Sequence, residues 1–250
     1  MDLETKAIEN LYGNADSVFS SVQFSPHNGE MFVCDYETGK VHRVDLAARK
    51  LVTTFDGVID GYQMKTDDIA FDKNGFMYLS DENGTLNKPV SKIVRLDQDG
   101  GNPVVVYEGL AGANGIAFST DYRGLWVSEY RRSVINYVTL NEASDSAADV
   151  QVGMYVGAGR GALDSITLDS EGNVYQSVFD GGRVMIYPNK SKLLGVFSLN
   201  DDFPKPQMLS TNVAIKRGST DAYITVGGEN GGYIYHFKAL APGGEQSNGG

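Results

Sequence analysis

Oxygen-bearing side chains recur along this chain at a nearly constant spacing, each two residues before the Ile or Val of a short apolar segment. They are Ser20, Asp67, Asn114, Asp164 and Thr211. The intervals between them are 47, 47, 50 and 47 residues. A period this regular indicates a fold built from repeated units. If every unit places its residue equivalently, we expect the five side chains to meet at one place.

Three of these positions carry the chemistry that a divalent cation requires. Asp67 and Asp164 supply carboxylates, Asn114 supplies an amide oxygen, and no Lys or Arg occupies an equivalent position. An all-oxygen cage of net negative charge suits Ca²⁺, Mg²⁺ or Mn²⁺. The alternative is structural, because Asp and Asn are common turn residues that bond their own backbone. That role suits a second set of acids better, namely Asp72, Asp121, Asp169 and Asp221.

The elements that position these residues are short strands. In the second repeat, the apolar segments 69–71, 77–79, 92–96 and 104–107 are separated by turn residues. Four strands in roughly 47 residues predict an all-β fold, and their repetition predicts a β-propeller of four-stranded blades. Five repeats are visible in the sequence. The first strand of each blade lines the central channel, so the residues just before it converge at one mouth. No stretch predicts a long helix.

Length and composition set the domain organisation. The 250 residues suit one propeller domain over residues 1–240. The last ten, rich in Gly and polar residues, predict a disordered tail over 241–250.

Charge and cysteine content narrow the partners. The formal net charge is −11, and the cations are not clustered, so nucleic acid and anionic membranes are not expected partners. A small molecule or a cation is the expected ligand. The one Cys excludes an internal disulfide framework, and no apolar run approaches a membrane span. These features predict a cytoplasmic protein and leave its oligomeric state open.

The repeat motifs resemble the senescence marker protein, gluconolactonase and regucalcin family, nearest to its bacterial drug-responsive lactonases. The resemblance rests on the segments 67–72, 114–118 and 164–169 and covers about residues 3–240. It implies a six-bladed propeller that hydrolyses lactones with one divalent cation at the channel mouth. Ca²⁺ is the expected ion, with Mg²⁺, Mn²⁺ or Zn²⁺ as alternatives.

The resemblance also assigns roles to individual residues. Asp67, Asn114 and Asp164 match three metal ligands of the family, and Asp164 also matches the acid that handles the proton of the attacking water. Ser165 matches its neighbour in the lactonase branch. We expect Ser165 and Ser20 to contact the substrate. A serine hydrolase of the Ser-His-Asp kind is not indicated, because the chain has no Gly-x-Ser-x-Gly motif.

One family feature has no counterpart in this sequence. The fourth ligand of the family is a Glu at the start of the first blade, and the chain resembles a member that lacks three strands of that blade. The ring could therefore stay open, with a six-bladed outline. Alternatively, residues 5–12 could form the fourth strand of the fifth blade and close a five-bladed ring. We favour closure, because it leaves no strand edge exposed.

These patterns lead to two hypotheses of different class. The first is a lactone hydrolase that depends on a divalent cation. The second is a propeller that binds a metal or ligand without catalysis, since fold does not determine function and one acidic ligand is missing.

Overall fold

Every repeat forms an antiparallel sheet in the computed structural model, which describes residues 2, 4–13, 16–159, 161–189, 192–199, 208–228 and 231–245. Blade 1 consists of β1 (Phe19–Phe24), β2 (Met31–Asp35), β3 (Lys40–Asp45) and β4 (Lys50–Phe55). A two-stranded hairpin follows, β5 (Val58–Ile59) and β6 (Tyr62–Gln63). Blade 2 consists of β7 (Thr66–Phe71), β8 (Met77–Asp81), β9 (Ser91–Leu96) and β10 (Val104–Leu110).

The remaining blades continue the same pattern. Blade 3 consists of β11 (Ala113–Phe118), β12 (Gly124–Glu129), β13 (Val134–Leu140) and β14 (Ala147–Tyr155). Blade 4 consists of β15 (Leu163–Leu168), β16 (Val174–Val178), β17 (Arg183–Tyr187) and β18 (Gly195–Ser198). Blade 5 consists of β19 (Leu209–Ile215), β20 (Asp221–Gly228) and β21 (Gly231–Lys238). The predicted all-β propeller of five repeats is confirmed, although the resemblance implied six blades.

The inner strands are apolar because they pack against blades on both sides. β7 and β11 are buried along their whole length. Aromatic rings join successive blades: Phe32 meets Phe71 at a centroid distance of 5.8 Å, and Tyr78 meets Phe118 edge-on at 4.9 Å. Such pairs stabilise a core beyond the area that they bury. The core therefore lies between the blades and holds the inner strands around the channel. Among the described residues, no helix is long and apolar enough to cross a membrane.

The predicted closing strand at the N-terminus is wrong. Residues 5–12 are exposed and form no strand. A local turn competes with extension, because the Asp2 carboxylate accepts hydrogen bonds from the backbone of Glu4 and Thr5. Lys6 follows with a φ of 61°, which a strand does not allow. Glu9 then forms an ion pair with Arg49 of blade 1, so this segment lies beside blade 1 and not blade 5.

Among the described residues, blades 5 and 1 do not pack against each other as successive blades do, so the favoured closed arrangement is wrong. In the described part of the chain, inner strands pack in the order β1, β7, β11, β15 and β19, without comparable packing between β19 and β1. Val22 and Phe24 of β1 are 51% and 47% exposed, whereas inner strands with two neighbours are buried. Blade 5 has three strands within the described residues.

Residues 241–245, which the sequence places in a disordered tail, contact blades 4 and 5. Gly243 forms bridges to Asp169 of blade 4 and to Arg217 of blade 5, and Ala241 is buried. The backbone N–H of Ser170 donates to the Pro242 carbonyl at 2.8 Å, which pins the segment across two blades. Residues 246–250 lie outside the described part. The single domain over residues 1–240 stays a prediction.

Candidate metal centre

A bulge in each inner strand sets the position of the predicted ligands. The pairing of the first strand with the second shifts register between Thr66 and Ile69, between Ala113 and Ile116, and between Leu163 and Ile166. The other two inner strands shift near Ser20 and between Ser210 and Val213. A bulge takes residues out of the ladder and redirects their side chains. Asp67, Asn114 and Asp164 all lie in such bulges.

Hydroxyl groups of the second strand satisfy the N–H groups that the bulges free. The N–H of Asp68 donates to Ser80 Oγ at 3.0 Å, and that of Gly115 donates to Ser128 Oγ at 2.9 Å. In blade 5 the N–H of Asn212 donates to Thr225 Oγ1 at 3.0 Å. Buried N–H groups without partners are costly. These hydroxyls therefore keep the bulges, and with them the ligand positions, in place.

Blades 3 and 4 approach each other closely beside the candidate ligands. Ser128 Oγ donates to the Asp164 carbonyl at 2.9 Å, which joins the two bulges. Gly115 permits the approach, because a Cβ there would lie 2.5 Å from the backbone nitrogen of Ile166. Asn114 and Asp164 are thus brought side by side although 50 residues separate them along the chain.

The two polar atoms of the Asn114 amide differ in their hydrogen bonding. Its side chain donates a hydrogen bond to the Asp67 carboxylate. Its Oδ1 atom has no hydrogen-bond partner, although the residue is only 4% exposed. Leaving a buried carbonyl oxygen unpaired costs free energy unless something absent from the polypeptide binds it. Asp67 is also buried, so the two residues form one polar, enclosed pair.

We call Asp67, Asn114 and Asp164 the candidate ring. Its two acids, Asp67 and Asp164, repel each other. Burial raises the pKa of Asp67 well above its ordinary value, and the charge of Asp164 raises it further. Burial also raises the pKa of Asp164, while the backbone N–H of Ser165 opposes that shift. Burial raises the pKa of Asp68, one residue beyond the ring, to about 6. A cation placed among these groups would lower all three pKa values by favouring the ionised forms.

The two serines expected to contact substrate are engaged by the ring residues. Ser165 donates its backbone N–H to Asp164 Oδ1 at 2.8 Å, and its hydroxyl lies 3.5 Å from the same oxygen. Ser20 donates its hydroxyl to the backbone carbonyl of Asp67 at 2.7 Å. Ser165 therefore orients Asp164, and Ser20 supports the bulge of the neighbouring blade. Their contact with substrate stays a prediction.

The sequence of residues 14–227 matches the family described as the SMP-30/Gluconolactonase/LRE-like region. That match covers most of the chain. The chain belongs to this family. The family-level resemblance drawn from the repeat motifs is confirmed.

Individual proteins of known sequence or structure are similar to this chain over most of its length. The lactonase drp35 of Staphylococcus saprophyticus is 27% identical over 224 residues, which cover 86% of this chain and 68% of that protein. A solved gluconolactonase from Xanthomonas campestris has a TM-score of 0.70 at 19% identity and covers 88% of this chain and 72% of its own. A solved regucalcin from Agrobacterium tumefaciens, described as calcium-binding, has a TM-score of 0.55 at 12% identity, with 94% and 96% covered.

For a member of the gluconolactonase-like family, the ring has few acids. Among the described residues, no three His, Cys, Asp or Glu side chains converge as metal ligands. The predicted ligands Asp67, Asn114 and Asp164 offer two carboxylates and one amide oxygen. Such a donor set favours a hard cation with several waters over zinc bound by His or Cys.

A third acid near the ring was missed in the sequence. Glu82 is only 7% exposed, and its carboxylate contributes to the raised pKa of both Asp67 and Asp164. It follows β8 directly and begins residues 82–90, which the sequence suggests as a loop at the channel mouth that sets substrate specificity. The repeats do not reveal it, because the residue equivalent to Glu82 in blade 3 is Tyr130.

Two of the predicted turn acids, Asp72 and Asp169, bind the backbone of their own turns, whereas the Asp221 carboxylate pairs with His236 and Lys238 at the start of β20. Asp72 Oδ1 accepts from the backbone N–H groups of Asn74 and Phe76 at 2.8 and 3.0 Å. Asp169 Oδ1 accepts from those of Glu171 and Asn173, both at 3.0 Å. These side chains are committed to their turns. Residues 200–207, which the sequence suggests as another loop at the channel mouth, lie outside the described residues.

Proposed function

We propose that this chain is a lactone hydrolase that uses one divalent cation held by Asp67, Asn114 and Asp164. The observation that carries the proposal is the buried Asn114 Oδ1, which has no partner and lies beside two carboxylates of raised pKa. A cation would provide the missing partner and offset the repulsion. Relatives named as lactonases and gluconolactonases support the reaction class.

Calcium is the ion that best fits the donors. Two carboxylates, an amide oxygen and waters can supply the six to eight oxygens that Ca²⁺ usually takes. The calcium-binding description of the regucalcin relative supports this choice. Mg²⁺ and Mn²⁺ accept similar donors, and Zn²⁺ is the least suited because no His or Cys joins the ring.

The chemistry divides between the cation and the polypeptide. When bound, a divalent cation supplies Lewis-acid stabilisation of negative charge on the lactone carbonyl oxygen. Asp164 accepts the proton of the attacking water as the new C–O bond forms. The ring C–O bond then breaks, and the same proton passes to the leaving alkoxide, which gives a hydroxy acid. Ser165 holds Asp164 Oδ1 through its N–H, so the other carboxylate oxygen is the one available for the proton.

A non-catalytic binding propeller is the second candidate. It is favoured by the exposure of Val22 and Phe24 on β1, and by the low acid count of the ring. In that case the cation would be bound without turnover. The cytoplasmic location and the absence of nucleic-acid or membrane partners stay predictions from composition.

Hydrolysis of a small lactone panel with and without chelator separates the candidates. We expect hydrolysis of a lactone, measured by the release of protons. Hydrolysis should stop after EDTA treatment and return when CaCl₂ is added in excess. Activity that is unaffected by EDTA would remove the cation from the reaction. Calcium binding without turnover of any lactone in the panel would favour the binding propeller.

A further inference from the structure

Glu82 lies near Asp67 although it follows β8 and Asp67 belongs to β7. Its backbone N–H donates to the carbonyl of Lys65 at 2.9 Å, directly before β7. Lys65 precedes Asp67 by two residues, and strands rise about 3.3 Å per residue, so Glu82 is offset from Asp67 by about 7 Å along the strand. With only 7% of its surface exposed, the residue is enclosed at the channel mouth.

Side chains from two other blades hold the Glu82 carboxylate. From blade 1, the Tyr36 hydroxyl donates to Oε2. From blade 3, Arg131 Nη2 lies 3.2 Å from Oε1, and Arg131 Nε donates to the Gly84 carbonyl at 2.9 Å. A guanidinium at this distance forms a charge-assisted hydrogen bond with the carboxylate. Glu82 is therefore held at the mouth by Tyr36 and Arg131.

The Glu82 charge acts on the ring. It contributes to the raised pKa of both Asp67 and Asp164, so the three acids share one poorly solvated region. The unpartnered Asn114 Oδ1 lies in the same region. Glu82 does not join Asp67 and Asp164 as a third direct ligand, since no such cluster exists among the described residues. Its effect on a cation would pass through space and through bound water.

We propose that Glu82 is the outer acid of the cation site and supplies negative charge to the cation through water. Arg131 acts in the opposite direction, because it neutralises part of that charge. Glu82 is thus a positioning residue for the cation and its waters, not a direct ligand. This inference rests on the cation site of the proposed function.

Opposite effects of two substitutions distinguish this role from a structural one. If the ion pair between Glu82 and Arg131 only stabilised the mouth, removing either partner would loosen the ring and weaken cation binding. If Glu82 acts by its charge, Glu82→Gln weakens binding whereas Arg131→Gln tightens it. Changes in outer partners of metal sites typically alter affinity by about 10-fold to 100-fold.

Calorimetric titration of CaCl₂ into the EDTA-treated full chain, at fixed pH and ionic strength, measures both effects. We expect Glu82→Gln to raise the Kd by about 10-fold or more, and Arg131→Gln to lower it several-fold. The matched control is Glu108→Gln, which removes the same charge from a 65% exposed side chain on an outer strand. Its Kd should stay within about twofold of the unmodified protein, because solvent screens that charge.

Each outcome decides between the proposals. If the unmodified chain binds no Ca²⁺, Mg²⁺ or Mn²⁺, the cation site and the role of Glu82 both fall. If it binds Ca²⁺ and Glu82→Gln binds equally well, only the role of Glu82 falls. Weakening by both Glu82→Gln and Arg131→Gln would also overturn that role. Circular dichroism checks folding; should Glu82→Gln unfold, Arg131→Gln alone decides, and failure to tighten binding overturns the proposal.

Discussion

At the scale of single residues, two kinds of acid are separated by what their oxygens contact. Asp169 accepts four hydrogen bonds from its own turn and from Tyr175. Among the described residues, Asp164 accepts hydrogen bonds from Ser165 alone, and its charge acts on Asp67. Asp169 is therefore engaged by its turn, whereas the role of Asp164 in catalysis stays a prediction. The sequence distinguishes the two because Asp169 precedes a Gly by three residues and Asp164 precedes an apolar strand.

Replacing these two acids should give opposite results. We expect Asp164→Ala to lower the rate of lactone hydrolysis by about 10² to 10⁴, the usual contribution of proton transfer, with the melting temperature unchanged or raised as repulsion is lost. Asp169→Ala should instead lower the free energy of unfolding by roughly 3 kcal/mol, because buried donors lose their acceptor. Kinetic assays and denaturant unfolding measure the two effects. Full activity in Asp164→Ala would remove this residue from the mechanism.

At the scale of elements, the bulged inner strand is the unit that builds the site. In blades 2, 3 and 5 a hydroxyl of the second strand accepts the N–H that the bulge frees, as Ser80 and Ser128 do. In blade 4 the freed N–H of Ser165 donates to Asp164 Oδ1 instead. The sequence predicted the strands and their spacing from the period of the apolar segments. It did not reveal the bulges, because two polar residues before a strand, such as Asp67-Asp68, also suit an ordinary turn. It missed Glu82 because this residue follows β8 and lies outside the repeated motif.

Gly115 gives a test of how closely the bulges must approach. A Cβ at this position would lie 2.5 Å from a backbone nitrogen of β15 that cannot move alone. We expect Gly115→Ala to lower the free energy of unfolding by about 3 kcal/mol and to separate Asn114 from Asp164. Gly195→Ala is the matched control, because nothing lies within 4 Å of its added Cβ. Equal stabilities of the two variants by urea unfolding would contradict the close approach.

At the scale of the whole molecule, the ring is organised by neighbour-to-neighbour packing that stops at blades 5 and 1. The sequence predicted five repeats and their order but not whether they close. Closure depended on residues 5–12, where the Asp2 turn and the positive φ of Lys6 outweigh a weak strand pattern. The composition of the tail shows low hydrophobicity but does not reveal the Gly243 bridges to two blades.

The buried acids make the stability of the cation-free molecule depend on pH. The folded pKa of Asp68 is about 6, above its ordinary 3.8, so the folded state holds the proton more tightly than the unfolded state. That stabilisation is complete below about pH 4 and is lost as the pH rises through 6, a change of about 3 kcal/mol. Asp67 and Asp164 shift in the same direction.

We therefore expect the melting temperature of EDTA-treated protein to fall between pH 5 and pH 8. CaCl₂ should remove most of the fall in melting temperature that Asp67 and Asp164 cause, because a bound cation stabilises their ionised forms. The variant Asp68→Asn should show a shallower fall, which separates this residue from the general effect of net charge. A cation-free protein equally stable at both pH values, measured by calorimetry, would show that these acids are not buried together.

The cation site is best tested by a crystal structure determined with Mn²⁺, whose anomalous scattering locates the ion without reference to the protein. We predict one anomalous peak bonded to oxygens of Asp67, Asn114 and Asp164, within roughly 2.5 Å of each, with waters toward Glu82. The same crystals of Asn114→Leu should lose that peak. A structure at millimolar Mn²⁺ with the ring empty, or with the ion held only by surface acids, would contradict the proposed site.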